Sequence, residues 1–150
     1  MFAGLITEIV LLVFRTNGSL VAWGDGFTKK WGLTSARWQM LGAISMAGGK
    51  ATAPQAAAIM GVSRQAAQKQ LNLLLDAGLV GQSANPANRR SPFYSMSAKG
   101  GSLYREIVQE WEALAGGLAS GLSSRDLVAA RKILEQLTAR IVTQDGRRDR

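Results

Sequence analysis

One stretch limits the possible folds more than any other: TAPQAAAIMGVSRQAAQKQLNLLLDAGLV, residues 52–80. Thr52 is placed to cap a short helix through Met60, with Pro54 in the first turn, where a missing N–H does no harm. Ala56, Ala57 and Ala58 keep that helix slim enough for close packing. Gly61 closes it, and Ser63 caps a second helix to about Ala77. Ala67, Leu71, Leu74 and Leu75 form the second helix's apolar stripe. Gly78 suits a left-handed residue after its end. Two capped helices joined by a short glycine turn make a helix-turn-helix.

The polar face of the second helix is unusual. Gln65, Gln68, Lys69 and Asn72 lie at i, i+3, i+4 and i+7, so they share one side. Arg64 stands at the helix mouth, and no acid joins them. Amides can pair bidentately with adenine edges, and cations with guanine or phosphate. The charge distribution agrees. The chain carries a formal charge of +8, and residues 50–99 hold six cations against the single acid Asp76. A local basic excess points to a polyanion partner. A plain helical hairpin is the bland alternative.

The period changes after Gly78. Leu79–Ala84 and Phe93–Ser97 read as short strands separated by NPANRRSP, whose Asn85-Pro86 and Ser91-Pro92 steps break any helix. The result is a two-stranded ribbon with Arg89 and Arg90 at its tip, able to reach a DNA backbone or a narrow minor groove.

Helices flank this centre. Leu5, Ile9, Leu12, Thr16, Leu20, Trp23 and Phe27 predict one long helix from about Leu5 to Lys30, and its glycines leave room for a bend near Asn17–Gly18. Thr34 caps a helix over Ser35–Ala47. After Lys99–Gly101 a long helix carries Leu103, Ile107, Trp111, Leu114 and Leu118. Ser123-x-x-Asp126 resembles a capping box opening a last helix with Leu127, Ala130, Leu134, Leu137 and Ile141 in register. Residues 144–150 are expected to be a disordered tail.

Composition removes several function classes. The chain has neither cysteine nor histidine. Disulfides, thiol-based redox sensing, thiolate metal sites and His-based catalysis drop out, and no cofactor or metal is expected. Trp23-Gly24-Asp25-Gly26 contains a Gly-x-Gly but follows no strand, so it is not a dinucleotide site. The reading is of a non-enzyme. The apolar run Ile9–Phe14 falls far short of the ~20 residues that span a bilayer. A cytoplasmic protein with no membrane partner is expected.

The chain resembles the MarR family of bacterial winged-helix regulators. The resemblance rests on LTSARWQML (Leu33–Leu41), IMGVSRQAAQKQLNLLLDAGLV (Ile59–Val80), NPANRRSPFYSMSAKG (Asn85–Gly100) and the two closing helices. It implies a mainly α winged helix-turn-helix with a small β-ribbon wing, in one domain. Residues 33–100 would be the DNA-binding region, and 1–32 with 101–143 the dimerisation region. It also implies a homodimer, probing a palindromic double-stranded operator as a transcriptional regulator, with repression as the expected effect. The DNA-contacting set is then Thr52, Gln55, Ser63, Arg64, Gln65, Gln68, Lys69, Asn72, Asn88, Arg89, Arg90 and Ser91. The chain departs from the family pattern at Asn88, where an Asp that orients the wing arginine is usual. It departs again at Met96–Gly100, where Leu-Thr usually precedes the glycine.

Many members of that family respond to small aromatic acids or phenols. Here Trp23, Phe27, Trp31, Trp38, Tyr104 and Trp111 are the candidates to line an effector hollow, with Arg15, Lys29, Lys30 or Arg37 as partners for an acid. Aromatics at helical spacing are more often core. The surplus apolar stripes of the first and last helices exceed what a small winged-helix core covers, and two-fold pairing would bury them. The rival function is a winged helix used for protein–protein assembly, without specific DNA binding.

Overall fold

A computed structural model describes the backbone of residues 1–148 and the side chains of residues 1–145. The elements in order are α1 (Phe2–Thr28), a 3-10 turn (Lys29–Trp31), α2 (Ser35–Met46), β1 (Lys50–Ala51), α3 (Ala53–Met60), α4 (Arg64–Asp76), β2 (Val80–Ser83), β3 (Phe93–Met96), α5 (Ala98–Ala119) and α6 (Ser124–Arg148). The chain divides into two units, Met1–Gln109 and Glu110–Arg150.

The first unit is a winged helix. Its core is built mostly from small and medium side chains around Tyr94: Leu41, Ile44, Ala56, Ala67, Leu71, Leu74, Tyr94 and Ile107 are fully or almost fully buried. The alanines let α3 lie close to α2 and α4, so apolar surface leaves water without large side chains. Gly61, with φ 65°, takes the left-handed turn between α3 and α4 that residues with a Cβ avoid. The sheet order is β1-β3-β2, all antiparallel. It has one more strand than the expected ribbon, because β1 pairs Lys50 and Ala51 with Ser95 and Tyr94. Two residues are too short for a periodic signal, and only tertiary pairing makes them a strand.

The N-terminal helix has no break at Asn17–Gly18; α1 is continuous. Its glycines are interior residues of a helix whose hydrogen bonds are already propagating. Gly24 is needed for packing, since a Cβ there would run into the Ser35 hydroxyl. That close approach lets Ser35 Oγ donate to the Val21 carbonyl at 2.6 Å, while the Ser35 N–H donates to Asp25 Oδ1 at 2.8 Å. Thr28 Oγ1 reaches the carbonyls of Gly24 and Leu33 at 2.7 and 3.1 Å. The Gly-Asp-Gly stretch thus fastens α1 to the start of α2.

Taken over Phe2–Trp31 rather than Ile9–Phe14, the first helix is long and apolar enough to cross a membrane by length and composition. Much of that apolar surface faces outward: Phe2, Leu5, Leu11, Leu12 and Phe14 are all exposed.

The start of α5 is earlier than Lys99–Gly101 suggests. Ser97 Oγ accepts from the Gly100 N–H at 3.0 Å and donates to the Gly78 carbonyl at 2.7 Å, and Lys99 Nζ reaches the Ala77 carbonyl at 3.4 Å. A Cβ on Gly100 would collide with the Leu79 carbonyl. Glycine sits inside this helix because the α4–β2 turn lies against it. In the second unit, the Asp126 N–H donates to Ser123 Oγ at 3.0 Å, the expected cap. The last helix continues through Arg148, so most of the segment expected to be a disordered tail is helical. Extending a formed helix adds one hydrogen bond per residue without a new nucleation cost. Residues 149–150 of that segment lie outside the described residues.

Candidate nucleic-acid interface

The interface is built from α4 and the β2–β3 wing. Ser63 Oγ accepts from the Ala66 N–H at 3.0 Å, and α4 buries Ala67, Leu71 and Leu74. Burying that stripe turns Gln65, Lys69 and Asn72 outward, and all three are exposed, as is Arg64. These four project from one element whose rotation is fixed by its core contacts.

Gln68 is different. It is only partly exposed, and its Nε2 donates to Asn72 Oδ1 and to the Tyr94 hydroxyl oxygen, each at 2.9 Å. Gln82 Nε2 donates to the same hydroxyl at 2.9 Å. Tyr94 is 1% exposed and lies on the central strand, directly across from Gln82. The bidentate adenine pairing expected of Gln68 needs a free N–H beside its oxygen. With both N–H groups occupied, it has only its oxygen left to offer. Tyr94 and Gln82 were not anticipated. The signal that would have found them is the β2–β3 register, which sets these side chains on one face.

The wing tip is organised by its asparagines. Asn85 is buried; its Nδ2 donates to the Ser91 carbonyl at 2.9 Å and its Oδ1 accepts from the Ala87 N–H at 3.2 Å. Asn88 Oδ1 accepts from the Arg90 N–H at 3.1 Å. Asn88 therefore orders the backbone that carries the arginines, as short polar side chains do in tight turns. Arg89 and Arg90 are exposed.

Two of the expected contact residues act on the protein itself. Thr52 is 6% exposed, and its hydroxyl accepts from the Gln55 N–H at 3.3 Å while Gln55 Oε1 accepts from the Thr52 N–H at 2.9 Å. This reciprocal cap stabilises the start of α3. Thr52 has no surface left for a ligand, whereas Gln55 is exposed and keeps its N–H donors.

The aromatic candidates form a cluster in the first unit. Phe27 stacks on Trp23, with centroids 4.9 Å apart, and meets Trp38 at 5.2 Å and the edge of Trp31 at 5.5 Å. Trp31 Nε1 donates to Glu106 Oε2 at 3.1 Å, and Lys30 Nζ lies 4.4 Å from the Trp31 ring centre. Phe27, Trp31, Trp38 and Tyr104 pack on the core, and Trp23 stays 41% exposed. Trp111 belongs to the second unit. A separate hollow of about 290 Å³ lies behind the start of α4, lined by residues that include Val21, Gln39, Met60, Val62 and Gln70. None of the six aromatics borders it.

A model of the MarR family matches residues 31–91. An uncharacterized protein of Mycobacterium tuberculosis is 32% identical over 132 residues, covering 88% of this chain and 91% of the relative. Among solved structures, a mutant of MarR from E. coli complexed with operator DNA is similar, with a TM-score of 0.72, 18% identity and coverage of 88% and 94%. CouR from Rhodococcus jostii, bound to p-coumaroyl-CoA, gives a TM-score of 0.76 at 19% identity, with coverage of 87% and 92%.

Proposed function

Since the chain belongs to the MarR family of transcription regulators, we propose that it binds a palindromic DNA operator as a homodimer and represses transcription in the cytoplasm. The observation that carries this reading is the exposed face of α4 from Arg64 to Asn72, which holds no acid before Asp76 at the helix end, beside a wing whose arginines are exposed on an ordered turn. Acids there would repel phosphate, and a disordered tip would lose entropy on binding. Exposed apolar residues on α1, and Leu134 and Ile141 on α6, support pairing with a second copy. The E. coli relative holds operator DNA in the same fold. Selection of bound duplexes from a random pool, followed by footprinting, tests the reading. The expected outcome is an inverted repeat with half-sites about one turn (~10 bp) apart, bound by a dimer. An unselective pool would leave the assembly reading in its place.

An aromatic effector belongs to the same proposal. The partly exposed Trp23–Phe27 stack supports it, as does the aromatic acyl group held by CouR. A ligand that weakens operator binding tenfold requires about 1.4 kcal/mol of coupling, and operator must then weaken the ligand tenfold. Titrating p-coumaroyl-CoA and simple aromatic acids against tryptophan fluorescence, with and without operator, checks both halves. Quenching that DNA does not oppose would rule out regulation through this cluster.

A further inference from the structure

We propose that the Tyr94 hydroxyl sets the hydrogen-bonding polarity of the recognition helix, making Gln68 an acceptor toward DNA. The proposal rests on the DNA-binding reading and deepens it.

Tyr94 sits where the wing meets α4. Its ring is buried, and its oxygen receives N–H groups from Gln68 on α4 and Gln82 on β2, each at 2.9 Å. A phenol has one proton. It therefore cannot donate to the oxygens of two amides at once; here both amides turn Nε2 toward it, and the phenol oxygen accepts from each. Gln68 Nε2 completes its second bond to Asn72 Oδ1, one turn along the same helix. Both hydrogens of Gln68 are then occupied, and so is one lone pair of the Asn72 oxygen. What remains on Gln68 is its oxygen alone, whereas Asn72 keeps its Nδ2 hydrogens and one lone pair.

Base edges in the major groove distinguish an acceptor from a donor. A bare acceptor matches the amino hydrogens of adenine N6 or cytosine N4. A bare donor matches guanine O6 and N7, adenine N7 or thymine O4. Gln68 should accept either amino-bearing base and reject guanine and thymine. A free glutamine amide instead prefers adenine, through bidentate pairing. The tyrosine removes that option. It also ties the recognition helix to the wing strands, so Gln68 is held before DNA arrives.

The test is Tyr94→Phe, which keeps the buried ring and frees Gln68. Gln82 is exposed and can turn to water. Thermal melting and oligomeric state are expected to stay close to the parent chain. Side-chain amide resonances of Gln68 and Gln82 should move together in the free protein. On duplexes selected by the parent chain, every base is then substituted in turn. The parent chain should treat adenine and cytosine alike at one position per half-site and bind guanine or thymine there about tenfold more weakly. In Tyr94→Phe the same position should favour adenine over cytosine, with the salt dependence unchanged. Unmoved amide resonances, or the same base preferences in both proteins, overturn the proposal while leaving DNA binding intact. Uniform weakening on all sequences overturns it too, because it would make Tyr94 a structural residue. A parent chain that selects no sequence removes the proposal and the DNA reading together.

Discussion

Two surfaces of this protein are exposed for opposite reasons. The α4–wing face carries polar groups that are tied to one another: Gln68 to Asn72 and Tyr94, Asn85 to Ser91, Asn88 to the Arg90 N–H. Large apolar side chains are also exposed on α1 of the first unit, with Phe2 78% and Phe14 70%, and on α6 of the second, with Ile141 55%. Water solvates the first surface well, so its order must come from directed hydrogen bonds. Water solvates the second poorly, which favours covering it. In the proposed function, one surface is ordered before a partner arrives and the other gains from being covered. The first should therefore respond to substitution in affinity and base preference, and the second in assembly.

The largest expected effect lies on the apolar side. Leu134→Glu places a charge on a stripe outside the core of the first unit. If a second copy covers that stripe, burying the carboxylate unpaired costs several kcal/mol. Sedimentation should show a folded monomer and operator binding should be lost. A stable dimer with normal affinity would break the contrast by showing that α6 is not covered.

The wing gives the next effect. Replacing Arg89 and Arg90 together by Ala should lower affinity for every duplex about ten- to hundredfold near physiological salt. It should also reduce the salt slope by about 1 to 2. Binding isotherms at several salt concentrations check this. Unchanged affinity would move the basic contact away from the tip. The oligomeric state should not change, which separates the two surfaces in a single variant.

Gly24→Ala probes the packing of α1 on α2. The added Cβ displaces the Ser35 hydroxyl from the Val21 carbonyl. Loss of one such bond costs about 1 kcal/mol, partly offset by the better helix propensity of alanine. Denaturant unfolding should register a shift of that size or less. A stability gain would mean that Ser35 finds another partner.

Asn88→Ala should have the smallest effect. It removes the acceptor for the Arg90 N–H at an exposed turn. The loss should be about 0.5–1.5 kcal/mol in DNA affinity and close to nothing in stability. Asn88→Asp should order the same turn. If Asn88→Ala matched the double arginine variant, the turn would be carrying the whole wing.

Much of this was legible from local chemistry. Caps at Thr34, Thr52, Ser63 and Ser123 are written in residue type and spacing, and each forms the expected bond. The apolar stripe of α4 fixed which side faces away from the core, and with it the exposure of Gln65, Lys69 and Asn72. Those features depend on residues a few positions apart, so a linear reading captures them. The glycines misled for the same reason. Gly18, Gly100 and Gly101 look like breaks when only neighbours in sequence are considered. In the fold all three lie inside helices: Gly18 within the continuous α1, and Gly100 where the Leu79 carbonyl leaves no room for a Cβ.

The sequence by itself determined the succession of helices, the helix-turn-helix, the basic wing and the lack of thiol and imidazole chemistry. All of these follow from side-chain type and period. Tertiary structure alone decided that Lys50–Ala51 becomes a third strand, that Thr52 turns inward, and that Tyr94 comes within 2.9 Å of both Gln68 and Gln82. The physical reason is range. A hydrogen bond between residues 26 positions apart leaves no local trace in the chain. It exists only once the core has set α4 against the sheet, and it then determines which atoms of Gln68 remain free to read a base.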